Sequence, residues 1–360
     1  MTKAGTIAPL IQMSKRYYRP VALSYGAPAI RAMAVGQAGR LGGHLTIAFH
    51  AVEMIERRDS ATFREIIPYR DLPRSDALAR IEQKRTLGSV PLSAAPLLMG
   101  IVNVTPDSFS DDGRHGETAA AIAHGEELAL EGAAILDIGG ESTRPGSDAV
   151  DEASERQRVL PVIEALAGKG HVLSCDTRKA AIMEAAARAG AGMINDVSAL
   201  THDPQSLATV AEFNLPVVLM HAQGDPKTMQ LAPKYDDVAL DVYDYLEARV
   251  AAARAAGIAK IAVDPGIGFG KSYAHNLEIL SQLTIYHGLG VPLMAGLSRK
   301  AFVGALTGEM VAGNRVHGSV GGAVQAALNG AQILRVHDVK ATAAALAVAM
   351  AMAHPDTADL

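Results

Sequence analysis

The sequence predicts an α/β fold, a (β/α)8 TIM barrel with an N-terminal α+β extension, and three observations lead there. From residue 97 onward, short β-branched runs alternate with alanine-rich helical segments, and eight such units fit into about 258 residues, close to the ~250 typical of this barrel. All but the seventh run end in a polar or charged residue, which is where such barrels keep their chemistry. A doubly wound open sheet is the competing architecture, but it ordinarily has fewer strands and a glycine-rich turn after the first. Here the first run leads instead into Asn103-Val104-Thr105-Pro106.

Residues 1–96 lie outside this rhythm and form the extension, 97–354 the barrel and 355–360 a tail. Within the extension a strand is expected over His44–Ile55 and a helix over Ser75–Arg85, with Ser75 as N-cap because its hydroxyl can accept an orphan backbone N–H. Leu87–Pro96, with Gly88, Pro91 and Pro96, reads as a linker. The barrel strands are expected at 97–104, 134–140, 171–177, 193–198, 216–221, 261–265, 292–297 and 332–337. Helices are expected at 118–131, 151–167, 179–189, 236–256, 314–330 and 339–353. The strand ends are Asn103, Asp137, Asp176, Asn195, His221, Asp264 and Arg335 with His337, while the seventh leads through Gly296 to Ser298-Arg299-Lys300. Period-two alternation puts Ser174 and Asp176 on one face and Leu173 and Cys175 on the other, so Cys175 reads as a packing residue.

Composition narrows the function. The 360 residues carry 33 Lys+Arg against 38 Asp+Glu, net −5, but unevenly: residues 1–96 hold 14 basic against 7 acidic residues, net +7, and the rest is net −12. An acidic body argues against nucleic-acid binding, which needs clustered Lys and Arg. One cysteine excludes a disulfide framework and any cysteine-based metal cluster. The longest apolar run, 343–353, falls short of the roughly 18 residues a membrane span requires. The expectation is a cytoplasmic protein with no membrane partner.

Several polar stretches fall in loops at the strand mouths. Asn103 could bind a phosphate oxygen or a metal-bound water, or simply form an Asx-turn. Gly139-Gly140-Glu141-Ser142-Thr143-Arg144-Pro145-Gly146 suits a mobile loop in which Arg144 could clamp an anion. Asp264-Pro265-Gly266-Ile267-Gly268-Phe269-Gly270-Lys271-Ser272 ends like a phosphate-binding loop, but Pro265 stands where the first glycine is required. Its glycines instead let backbone approach a flat ligand beneath Asp264. Asp176, Asp264 and Asn195 supply acceptors for a ring edge rich in N–H donors. Lys300, Arg335 and His337 arrive from the last two strands, next to Asn103, at the usual phosphate corner of the barrel.

The stretches NVTPDSFS at Asn103, GGESTRPG at Gly139, INDVS at Ile194, LMH at Leu219, DPGIGFGK at Asp264, GLSRK at Gly296 and RVHDV at Arg335 resemble the dihydropteroate synthase family. The resemblance implies a folate-pathway transferase joining p-aminobenzoate to 6-hydroxymethyl-7,8-dihydropterin diphosphate. It implies a pterin site of Asp176, Asn195, Met220, Asp264, Phe269, Gly296, Lys300 and Arg335. The diphosphate would meet Asn103, Arg144, Arg335 and His337, with Mg2+ held by Asn103 and the diphosphate. The aminobenzoate would meet Phe109, Thr143, Pro145, Lys300 and Ala301. Asp176, Lys300, Arg335 and His337 would be the catalytic set, the protein a homodimer, and sulfonamides its inhibitors. Two positions depart from the family pattern: Asp112 where a glycine is usual, and Ala301 where serine often follows the lysine. A pterin-dependent methyltransferase would share the barrel and pterin acids without needing Arg144 or the RVHDV corner. A non-catalytic pterin-binding paralogue would share everything but a working first loop.

Overall fold

The structure is a computed structural model and describes residues 14–58, 61–90, 92, 95–104, 113–142, 146–224 and 227–353, without the side chains of 113–115. The chain opens with β1 (Ser14–Tyr25), α1 (Gly26–Ala34), β2 (Gly39–Arg40), β3 (Ile47–Arg58), β4 (Ala61–Pro68) and α2 (Asp76–Glu82). β3 is the spine of an antiparallel sheet, with β1 along one side and β2 and β4 along the other. Pro20, opposite Val52, is tolerated because β1 is an edge strand. The expected strand at 44–55 is β3, displaced by three residues, and the expected helix is α2, where the Leu78 N–H donates to Ser75 Oγ at 3.3 Å. Neither β1, α1 nor β4 was foreseen.

All eight expected barrel strands form: β5 (Leu97–Asn103), β6 (Ile135–Gly139), β7 (Leu173–Asp176), β8 (Met193–Asp196), β9 (Val217–Met220), β10 (Ile261–Asp264), β11 (Met294–Ala295) and β12 (Ile333–Val336). They are parallel, in the order β10-β9-β8-β7-β6-β5-β12-β11. A parallel bridge between Val263 and Leu293, with the Val263 N–H donating to the Pro292 carbonyl at 2.9 Å, closes the ring. Outside run α3 (Gly113–Leu130), α4 (Glu152–Ala167), α5 (Ala180–Ala189), α6 (Ser206–Glu212), α7 (Val238–Ala255), α8 (Tyr273–Ser281), α9 (Ala301–Thr307), α10 (Val316–Leu328) and α11 (Val339–Ala353). α6, α8 and α9 were not expected. No helix among the described residues is long and apolar enough to cross a membrane.

Side-chain alternation divides the barrel interior into layers. Near the amino ends of the strands, Met99, Ile135, Met193, Val218, Ala262, Met294 and Ile333 form a buried apolar cluster. Leu87 and Val90 belong to that same cluster. The segment expected as a linker therefore plugs the bottom of the barrel. Two residues beyond six of these seven stand Asp137, Asn195, Met220, Asp264, Gly296 and Arg335, with Ile101 on β5 the exception, so the apolar floor gives way in one step to a largely polar layer. Cys175 is fully buried in the cluster outside the strands, as its alternation predicted.

The extension packs along the barrel wall. Tyr17 and Ile55 join the wall's own apolar cluster, and Tyr17 meets Tyr243 edge-on at 5.4 Å. Lys15 Nζ reaches Asp244 at 2.6 Å and Glu247 at 2.5 Å, Arg57 reaches Asp241 at 2.7 Å, and Arg64 reaches Asp237 at 3.0 Å. The basic extension thus meets acidic residues of α7. At the barrel's floor, Gln332 Nε2 donates to the Gly42 carbonyl at 3.0 Å and Arg85 to that of His287 at 2.8 Å.

Candidate active site

The polar layer is organised around Arg335, near the end of β12. Its Nε donates to Asp137 Oδ2 at 2.6 Å and its Nη2 to Asp176 Oδ2 at 2.7 Å. Asn195 Nδ2 donates to the same Asp137 oxygen at 3.0 Å. Strand register produces this meeting: Asp176 lies beside Asn195 on β8 and Gly139 on β6, and Asp137 beside Ser174. At Gly139 a Cβ would sit 3.4 Å from that of Asp176, so the glycine leaves the carboxylate its room. In the sequence Asp137 stands out only as a polar strand end, yet in the fold it bridges Arg335 and Asn195.

Asp137, Asp176, Asn195 and Asp264 are deeply buried, Arg335 and Lys300 partly so, and loss of solvent governs the protonation of Asp176, Asp264 and Lys300. Burial raises the Asp176 carboxyl to about 7; Arg335 opposes this and Asp137 adds to it. Burial raises Asp264 as well, against Lys300. It lowers the Lys300 ammonium to about 8, against the pull of Asp264. Arg335 is also disfavoured by burial, yet Asp137 and Asp176 together hold it above its ordinary value. One cation is thus fixed by two carboxylates, while Lys300 and Asp176 are poised near neutrality.

Asp137 Oδ1 and Asn195 Oδ1 are buried acceptors with no partner among the described residues. Asp264 directs one oxygen to the Gly266 N–H at 2.7 Å, and its other oxygen lies 3.5 Å from where a Cβ at Gly296 would sit. Buried acceptors without donors are costly unless a ligand supplies them. The lining therefore suits a planar ring edge presenting several N–H groups.

The loop after β10 supplies a flat wall. Gly266 has φ +69°, and a Cβ there would run into the His221 carbonyl oxygen; only glycine fits. The Lys271 ammonium, buried beneath, donates to the carbonyls of Gly266 at 2.9 Å and Phe269 at 3.1 Å and faces His221 Nδ1 at 2.8 Å. Burial pushes both Lys271 and His221 well below their ordinary values. Lys271 is therefore a structural tie for this loop, not the phosphate ligand its motif superficially suggested. Above it the Lys300 ammonium lies over the Phe269 ring, 4.7 Å from the centroid, and donates to the Ile267 carbonyl. Beside Phe269 a cavity of about 300 Å3 opens among Arg178, Ser198, His202, Met229 and Tyr245.

At the corner where the sequence leads one to expect an anion, Ser298 Oγ lies 3.1 Å from His337 Nδ1 and accepts from the His337 N–H at 3.2 Å. Arg299, at φ +58°, donates Nε to Asp338 at 3.0 Å, fixing the bend that delivers Lys300 to the mouth. Ala301 begins α9 and is exposed. Asn103 ends β5, half-buried, with no side-chain hydrogen bond among the described residues. Met220 is buried at the end of β9. Phe109, Thr143, Arg144 and Pro145, and with them Asp112, lie outside the described residues. Glu141, at the start of the second loop, was not singled out from sequence. It accepts from Arg178 Nη2 and Lys179 Nζ, each at 2.9 Å, and from the Val150 N–H at 3.2 Å, joining the two ends of that loop.

The family model described as pterin binding enzyme matches residues 99–337. The dihydropteroate synthase of Escherichia coli K12 is 48% identical over 256 residues, 70% of this chain and 90% of the relative. The chain belongs to the dihydropteroate synthase family. Among solved structures, the Xanthomonas albilineans member with 4-aminobenzoic acid is 53% identical, with a TM-score of 0.68, covering 72% of this chain and 93% of that one. The Yersinia pestis member with a sulfonamide drug is 47% identical, with a TM-score of 0.70, covering 74% and 98%. The family model leaves residues 1–98 unmatched, so the β1–β4 sheet lies outside the matched region.

Proposed function

We propose that this transferase joins p-aminobenzoate to 6-hydroxymethyl-7,8-dihydropterin diphosphate, forming dihydropteroate and releasing diphosphate. The observation that carries this reading is the buried acceptor set of Asp137, Asn195 and Asp264, which matches an amino-pyrimidinone edge. The exocyclic C–O bond breaks with its electron pair leaving on the diphosphate, and cationic charge spreads from that carbon into the ring. The ionised Asp176 carboxylate stabilises this charge through space. Arg335 and His337 neutralise the departing anion, together with Arg144. The neutral arylamine nitrogen then forms the new C–N bond and loses a proton, so no protein nucleophile is needed. This agrees with the burial of the single cysteine.

Magnesium fits the residues present. Asn103 offers a hard amide oxygen at the anion corner, and no cluster of three His, Cys, Asp or Glu occurs among the described residues. That suits an ion that keeps its waters and is held by few protein oxygens plus substrate phosphates. When bound, it would offset charge on the diphosphate. The aminobenzoate ring would lie near Lys300 and Ala301, completed by Phe109, Thr143 and Pro145, where sulfonamides would compete. We further propose a cytoplasmic homodimer. Exposed apolar side chains on successive outer elements, Tyr273 and Leu277 on α8 and Leu306, Met310 and Val311 on and after α9, support an apolar interface there.

The test is a purified-protein assay with both substrates and magnesium. Dihydropteroate and diphosphate should form in equal amounts. Pterin binding without diphosphate release would overturn the catalytic reading.

A further inference from the structure

The loop entering α7 touches the pterin wall at one end and the extension at the other. Tyr235 Oη donates to the Gly270 carbonyl at 2.7 Å, and its ring meets His275 edge-on at 5.0 Å. One residue later, Asp236 donates its N–H to Asp241 Oδ2 at 2.9 Å, and Asp237 donates to the same oxygen at 3.3 Å. Asp237 itself caps α7, accepting the Leu240 N–H at 3.1 Å. Both carboxylates are engaged from the extension: Arg57 Nη2 on β3 donates to the other oxygen of Asp241 at 2.7 Å, and Arg64 Nη2 on β4 donates to Asp237 Oδ2 at 3.0 Å. Arg64 Nη1 also donates to Gln282 Oε1 at 3.1 Å, just past α8.

These hydrogen bonds and ion pairs, joined by the backbone of residues 235–237, form one continuous path. It runs from the extension, through the first turn of α7 and Tyr235, to a backbone carbonyl next to Phe269. The loop it reaches has little slack. At Gly270, φ +62°, a Cβ would run into the Gln223 carbonyl, and Gln230 Nε2 donates to the Gly268 carbonyl at 2.6 Å. A shift of the α7 entry would therefore be passed to the Phe269 wall.

We propose that Arg57 and Arg64 are positioning residues for the pterin-binding loop 264–271, acting through the entry of α7 and Tyr235. The inference rests on the reading of that loop as part of the pterin site. It gives the extension a role in substrate affinity beyond packing.

The experiment compares full-length wild type with Arg57→Ala, Arg64→Ala, Tyr235→Phe and the combination of Arg57→Ala with Tyr235→Phe. Affinity for a 6-substituted pterin is read by the pterin's own fluorescence, and kcat is read at saturating substrates. Each arginine variant should weaken pterin binding about threefold, the scale of one partly exposed ion pair, with kcat little changed. The combined variant should bind no worse than Tyr235→Phe alone, because both changes cut the same chain. Arg57→Lys, which keeps a charge able to reach Asp241, should restore most of the affinity. Unchanged affinity in the arginine variants, or additive losses in the combined one, overturns the proposal even if wild type makes dihydropteroate normally. Wild type that binds no pterin overturns the reading of the site as well. Should Arg57→Ala fail to fold, Arg64→Ala and Tyr235→Phe decide: unchanged affinity in either overturns the relay, and a loss of about threefold in both that is no larger when the two are combined supports it.

Discussion

Replacing Asp176 with asparagine separates charge stabilisation from binding. The substitution keeps shape and one acceptor oxygen but removes a negative charge, and Arg335 keeps its second anchor, Asp137, at 2.6 Å. A unit charge about 4 Å from a developing cation is worth about 4 kcal/mol at an effective dielectric near 20. Only part of the cation has developed in the transition state, and Arg335, 2.7 Å from Asp176, already offsets part of the carboxylate's field. About 2–3 kcal/mol should then be lost, or roughly 30- to 150-fold in kcat. Pterin affinity should change much less, since the asparagine oxygen can still accept from a ring N–H. The assay pairs steady-state kcat with pterin affinity by fluorescence titration. Equal losses in the two quantities would refute the argument, because they would place the contribution of Asp176 in the ground state.

Three further outcomes follow from the same geometry. With Asp176 raised to about 7 and Lys300 lowered to about 8, kcat/KM should rise with pH as the carboxylate ionises and fall as the ammonium deprotonates, a narrow bell. Lys300→Arg should remove the alkaline limb, and a flat profile between pH 6 and 9 in wild type would contradict both assignments. Ala301→Ser restores a hydroxyl at the start of α9 and should lower the aminobenzoate KM about threefold, the worth of one hydrogen bond; an unchanged KM argues against a carboxylate docking there. Gly266→Ala forces a side chain into a left-handed backbone at φ +69° against the His221 carbonyl, costing about 1–3 kcal/mol; thermal melting should fall by several degrees and pterin affinity with it, and a variant matching wild type in both would show that this bend is free to relax.

The barrel was legible because its strands end in residues that an apolar core would not hold. Asp176, Asn195, Asp264 and Arg335 each interrupt a hydrophobic run at the same relative position, and alternation then places them on one inner layer. What alternation does not reveal is which of them touch. Asp137 sits in the same kind of run, but its bridge between Arg335 and Asn195 depends on the parallel register of β6, β7 and β8 and on a guanidinium reaching over β5 from β12. The missed helices are short: α8 has nine residues and is opened by a capping box in which His275 takes the place of the usual Glu or Gln, and α6 and α9 have seven residues each.

The extension was hard to read for a different reason, and that reason bears on its role. β4 is exposed along nearly its whole length, so it lacks the buried-and-exposed alternation that marks a strand. β1 carries Lys15 and Arg19 among its aromatic residues and contains Pro20. Several of its polar groups meet partners remote in sequence: the Lys15 and Tyr17 side chains reach Asp244 on α7, and the backbone carbonyl of Pro20 accepts from Thr284 Oγ1 at 2.7 Å. A strand that places part of its polar groups against a surface more than two hundred residues away carries little local signature of its own. Only the charge imbalance, net +7 against −12, hinted at that surface. The wall it covers contains Asp237 and Asp241, which hold the entry of α7. An element that merely shielded the barrel would have no need to engage both of those carboxylates with arginines, and that specificity is why the Arg57 and Arg64 variants are expected to alter pterin affinity more than turnover.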